Sequence, residues 1–260
     1  MSRVVRTIVT IAGLGLAWQA VVSLAGLPPY ILPGPVRVAE TLIARREVIV
    51  DDALVTAGEI VLGLIAGTLM GVASALALAA LRPARRWLMP LLVVSQAVPV
   101  FALAPLLVLW FGYGIASKVV MAALVIYFPV TTAFFDGLRR TEPGWLDLAR
   151  TMGATRMAAL AHIRVPAALP ALASGLRVAA AVAPIGAVIG EWVGSSAGLG
   201  YLMLQANARV QIDLLFAALL TLGVFAVLLY YAVDSALRRL IPWQAESHPA
   251  EGAWAEETAP

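Results

Sequence analysis

The sequence contains no cysteine, a single lysine and two histidines among 260 residues. The absence of cysteine excludes disulfide frameworks, thiolate metal sites and cysteine nucleophiles. The lone lysine, Lys118, stands in Ile115-Ala116-Ser117-Lys118-Val119-Val120. No GxxxxGK[ST] loop therefore exists to cradle nucleotide phosphates, and any ATP must be hydrolysed by another chain. His162 and His248 are far apart in sequence, and His248 falls in the polar C-terminal tail, which removes a His-rich metal cluster and most Ser-His-Asp arrangements. Charge is scarce as well. Only 13% of residues are Asp, Glu, Lys or Arg, against roughly 25% in an ordinary soluble domain.

What fills the sequence is apolar: 62% of it is hydrophobic, with a mean hydropathy of +0.91. A soluble chain of this composition could not cover its surface with polar groups. A bilayer accepts an apolar exterior, provided that every backbone amide is paired inside a helix or a closed barrel. Runs of about 20 apolar residues, the length that crosses the hydrocarbon core as a helix, lie near 4–25, 59–81, 88–110, 118–138, 171–195 and 213–236. The expectation is an all-α membrane protein with about six transmembrane helices in a domain spanning 1–243. Prolines interrupt the third and fifth runs, so a span there is expected to be broken or partly re-entrant. The first run follows Arg3 and Arg6 but exceeds the ~7–15 apolar residues of a signal peptide, and it reads as a retained helix.

Basic residues set the orientation. With the N-terminus inside, the cytosolic segments hold 13 of the 18 Lys and Arg residues, and the outer segments hold Arg37, Arg45, Arg46, Lys118 and Arg209. This bias predicts both termini in the cytosol. The formal charge of +3 is thus a topology signal, and nucleic-acid binding gains no support from it. Residues 35–57, charged and preceded by a stiff Pro33-Gly34-Pro35 turn, read as an amphipathic segment on the outer surface, with Lys118 at the outer boundary. The tail 244–260, with four glutamates, proline and alanine, is expected to be disordered. Gly63, Gly67, Gly71, Ala75 and Ala79 recur every four residues, as do Gly186, Gly190 and Gly194, and such faces are expected to pack helices closely.

The longest polar interruption of the second half, 139–166, falls on the cytosolic side. Thr141-Glu142-Pro143 has the features of a helix start, with a capping hydroxyl, an acid and a proline suited to the first turn. Gly153 is a natural stop. Between them Trp145, Leu148, Ala149 and Met152 recur at helical spacing, an apolar face outside the bilayer that calls for a partner surface. Thr155 is expected to cap a second segment, 156–163, ending near Pro166.

These residues resemble the EAA loop of ABC importer permeases. That loop has a Glu-Ala-Ala triplet, a glycine after three further residues, and an Ile-x-Leu-Pro element after nine more. The frame here is Asp147-Leu148-Ala149, Gly153 and Ile163-Arg164-Val165-Pro166, with Asp147, Leu148 and Val165 departing from the family residues. The resemblance implies a type I (MetI-like) permease fold in the inner membrane of a bacterial cell and a coupling helix seated in a groove of an ATPase subunit. It further implies two such ATPase copies binding ATP and magnesium, an extracytoplasmic substrate-binding protein, and two permease chains. Leu32-Pro33-Gly34-Pro35, Ser95-Gln96-Ala97-Val98-Pro99, Trp110-Phe111-Gly112-Tyr113-Gly114 and Gly190-Glu191-Trp192 are similar to the branch that imports nitrate, sulfonates, taurine and thiamine or riboflavin precursors. Within it, Ala206-Asn207-Ala208-Arg209 is most similar to permeases for hydroxymethylpyrimidine.

Polar groups inside apolar runs remain, since an ionisable side chain in a bilayer is costly and turns to the bundle interior or a wet path. Gln96, three residues before Pro99, either bonds between helices or faces a pathway. Glu191 beside Trp192 either snorkels to the interface or belongs to an outer gate, and it is the only carboxylate expected well inside a run. Tyr127 and Pro129 form a weaker pair. An ion-driven carrier would need more midplane ionisable groups, and an intramembrane hydrolase would need paired catalytic groups at depth.

Overall fold

The computed structural model describes residues 3–243, and every regular element among them is helical. The tail expected to be disordered lies outside the described residues. Four stretches are long and apolar enough to cross a bilayer: Arg46–Ala80 (α3), Ile115–Arg139 (α6), Arg156–Gly194 (α8 and α9) and Ile212–Leu240 (α11). The other two apolar runs are carried by shorter apolar stretches, Ala12–Leu24 within α1 (Arg3–Leu24) and Val100–Phe111. The third run is indeed broken. Helix α4 (Arg82–Ala97) stops where Val98 and Pro99 turn extended, and a short 3-10 turn leads into α5 (Ala104–Phe111).

The core is a three-helix slab of α3, α6 and α9. Gly63, Gly67 and Gly71 of α3 lie against Ala122, Ala123, Ile126 and Val130 of α6, so these two helices run in the same direction. The contact is backbone-close: a Cβ at Gly67 would sit 2.8 Å from the Ala123 carbonyl oxygen. Helix α9 (Val165–Gly194) runs the other way, with Gly175 against Pro129 and Ala133, Gly186 against Ala122, and Gly190 against Lys118. Both small-residue faces thus pack the bundle, as their four-residue period predicts. Helix α11 covers α9 through Ala173, Leu237 and Ile241 and an ion pair from Arg177 to Asp234 at 2.6 Å.

Two expectations about element boundaries need correction. Residues 46–57 are not a surface segment but the first turns of the 35-residue α3, and only α2 (Pro35–Ala44) lies apart, with Val38 buried and Thr41 donating to Asp213 at 3.1 Å. The polar residues Asp52 and Thr56 fooled the pattern because their partners come from elsewhere in the chain. Likewise the segment after Thr155 does not end near Pro166. A π turn over Leu160–Arg164 links α8 (Arg156–Ala159) to α9, and Pro166 sits in the first turn of α9, where its missing N–H is tolerated.

Candidate functional site: a buried polar clasp and an exposed docking helix

At the end of the slab where α3 and α6 begin, four elements converge on a polar cluster. Asp52, Thr56 and Glu59 of α3 share one face by their four- and three-residue spacing. Glu191, near the end of α9, is 1% exposed. Its Oε1 accepts from the Thr56 hydroxyl at 2.6 Å, and its Oε2 accepts from the Gly200 and Tyr201 amides at 2.5 and 3.3 Å. Thr56 Oγ1 in turn accepts from the Leu199 amide at 2.7 Å, and Asp52 Oδ1 from the Gly198 amide at 2.8 Å. Helix α10 (Leu199–Ala208) therefore begins with its otherwise unpaired N–H groups, and the positive end of its dipole, held by side chains of α3 and α9. Gly198 has φ 109°, and Cβ atoms at Gly198 or Gly200 would meet the Glu191 carboxylate, which explains glycine at both positions.

Glu59, also 1% exposed, completes the cluster beside Glu191. Lys118 Nζ lies 3.5 Å from Glu59 Oε1 and donates to the Tyr113 carbonyl at 3.5 Å, whereas Glu59 Oε2 has no donor among the described residues. Two sequence readings change here. Glu191 does not snorkel, and Lys118 is not a boundary charge but a buried one, 6% exposed and paired with a second intrahelical carboxylate. Glu59 escaped notice because it opens the second apolar run, where a charge looks like a boundary. Trp192, by contrast, is exposed.

Of the other polar candidates, Tyr127 donates to Ser74 at 2.9 Å, tying α6 to α3 about 14 Å along the helix from Lys118. Pro99 is exposed at the break between α4 and the 3-10 turn. The backbone of Gln96 ends α4, and its side chain lies outside the described part.

The opposite end of the slab carries α7 (Pro143–Thr151) between α6 and α8. Its stop is a Schellman motif: the Gly153 amide donates to the Arg150 carbonyl at 3.0 Å and the Ala154 amide to the Ala149 carbonyl at 2.9 Å, with Gly153 at φ 77°. Thr155 caps α8 through the Ala158 amide at 3.1 Å, as expected. Thr141 does not cap α7. Its hydroxyl donates to the Leu138 carbonyl at 3.3 Å, and Glu142 occupies the cap position without a side-chain bond. Arg164, inside the Ile163–Pro166 element, donates twice to that same Leu138 carbonyl, at 3.0 and 2.8 Å, and so staples the end of α6 to the start of the α9 rod. Of the four residues at helical spacing, Ala149 is buried, while Trp145, Leu148 and Met152 are 51, 61 and 78% exposed. Asp147 pairs with Arg150 at 2.8 Å at the surface, a contact worth ~0–1 kcal/mol. The loop is a rigid bracket with a bare apolar face.

Comparison with known proteins places this arrangement. The fold is that of MetI-like permeases: a chain of an inward-facing structure of the MetNI methionine ABC transporter superposes with a TM-score of 0.64 at 20% identity, covering 74% of this chain and 95% of that one. Residues 59–245 match the family described as binding-protein-dependent transport system inner membrane component, and the chain belongs to it. It is 54% identical to a probable ABC transporter permease protein of Haemophilus influenzae, over 92% of this chain and 98% of that one. A formylaminopyrimidine transport permease protein of Halalkalibacterium halodurans is 36% identical, over 87% and 91% of the two chains. The chain is thus a membrane-embedded ABC importer permease, a subunit that works with an ATPase and a binding protein and is not itself an enzyme.

Proposed function

We propose that this permease carries a small polar solute into the cell by alternating access, with α7 as the coupling helix that takes up force from the ATPase. The observation that supports this is the exposed face of Trp145, Leu148 and Met152 on a helix fixed at both ends, by Pro143 at its start and the Gly153 motif at its stop. An apolar surface outside the bilayer wants a protein partner, and Asp147, Leu148, Ala149 and Gly153 keep the spacing of the EAA loop. In this reading the α7 end is cytosolic, both termini lie on that side, and two copies of the chain pair around the path, each receiving one ATPase copy loaded with ATP and magnesium. Ile163 and Pro166 serve the docking bracket from its far side.

The path is assigned to the broken segment at Gln96 and Pro99, where freed backbone carbonyls can face water, and to Tyr127 and Trp192. Glu191 acts there indirectly, by holding α10 closed across the outer end. The cargo is assigned to a hydroxymethylpyrimidine-type thiamine precursor, in keeping with the 36% identical relative whose name specifies formylaminopyrimidine. Proteoliposomes containing the permease, its ATPase and its binding protein are expected to take up radiolabelled hydroxymethylpyrimidine on addition of ATP. Taurine, nitrate and riboflavin in excess should leave that uptake unchanged. Uptake of taurine in place of the pyrimidine would overturn the substrate assignment.

A further inference from the structure

On the inner side of α7, facing away from Trp145, Leu148 and Met152, lies a cavity of about 520 Å³ between the last turn of α3, the start of α4, α7 and α8. Four arginines line it: Arg85, Arg150, Arg156 and Arg164, with Thr155 and Leu146. None of its lining residues is acidic. Arg150 alone of the four meets a carboxylate among the described residues, that of Asp147. Arg85 has the ring of Phe135 at 5.5 Å and lies near enough to Arg164 for their charges to act on each other. Like charges gathered around one cavity repel unless an anion sits among them, and guanidinium groups bind phosphate oxygens bidentately.

The depth of the cavity narrows the ligand. The cavity is lined by the last turn of α3, at the end of a helix long and apolar enough to cross the bilayer. The end of such a span lies at the edge of the ~30 Å hydrocarbon layer, at the level of phosphate headgroups. A basic pocket between helices at that level suits an anionic headgroup. We propose that this cavity binds a phosphate group, and that filling it braces α7 through Leu146 and Arg150. The phosphate could come from an anionic lipid or from solution, and the site stands whether or not α7 docks an ATPase.

The test uses the transporter purified with its ATPase in phosphatidylcholine nanodiscs, with or without phosphatidylglycerol, and separately with inorganic phosphate added. Native mass spectrometry is expected to find phosphatidylglycerol retained on the wild type, about tenfold less on Arg85→Gln/Arg156→Gln, an intermediate amount on Arg85→Lys/Arg156→Lys, which keeps the charges but not the bidentate fork, and an undiminished amount on Arg209→Gln at the other end. Both substituted side chains are exposed, so the variants should fold. An arginine-dependent rise in melting temperature with phosphatidylglycerol only identifies a lipid site. The same rise with inorganic phosphate identifies the same site filled from solution. If the glutamine variant keeps wild-type lipid and phosphate responses, or the wild type shows neither, the proposal fails.

Discussion

Replacing Trp145, Leu148 and Met152 together by serine is expected to strip the ATPase from the transporter while leaving the permease inserted in the membrane. The three side chains are half to three-quarters exposed and touch no core cluster, so the slab of α3, α6 and α9 loses nothing when they change. Burying an apolar side chain of this size in a partner contributes roughly 1.5–3 kcal/mol. Three of them account for about 5–9 kcal/mol, or a loss of affinity on the order of a thousandfold or more. Co-purification through a tag on the ATPase reads the loss, and flotation of the permease with membranes reads its insertion. A triple variant that co-purified at wild-type yield would show that this face is not the contact.

The second large effect is expected at the other end. Glu191→Ala leaves the Thr56 hydroxyl and the Gly200 and Tyr201 amides without their acceptor in a buried site. Each orphaned donor costs about 1–3 kcal/mol, so the three together cost the clasp roughly 3–9 kcal/mol. The start of α10 should come loose from α3 and α9, and the permease should unfold at a markedly lower temperature in detergent. Glu191→Gln, which keeps one acceptor oxygen and the side-chain shape, should fall between the two. Melting curves followed by tryptophan fluorescence check the order. If Glu191→Ala melted with the wild type, the clasp would contribute nothing to holding that end together.

The parts of this molecule that could be read from sequence are those built from near neighbours. The stripe of Gly63, Gly67 and Gly71 shows its period in the chain itself, and the stop of α7 is written in Gly153 because a residue at φ 77° favours glycine. The clasp could not be read in that way. Thr56 and Glu191 are 135 residues apart, and each alone looks like a helix-end polar residue. Lys118 was misplaced and Glu59 overlooked for the same reason, since a charge at the edge of an apolar run reads as a boundary until its partner is known. The rod from Arg156 to Gly194 was hidden by Pro166, which signals a stop inside a helix but not in a first turn that follows a π turn.

The absence of cysteine makes the docking claim directly measurable, because a single introduced thiol is the only one in the permease. Leu148→Cys, on the exposed face of α7, and Glu40→Cys, on α2 at the far end of the bundle, can each be treated with a short amine- and thiol-reactive crosslinker in membranes holding the assembled transporter. The account predicts a permease–ATPase product from Leu148→Cys and none from Glu40→Cys. A product from Glu40→Cys with none from Leu148→Cys would contradict it.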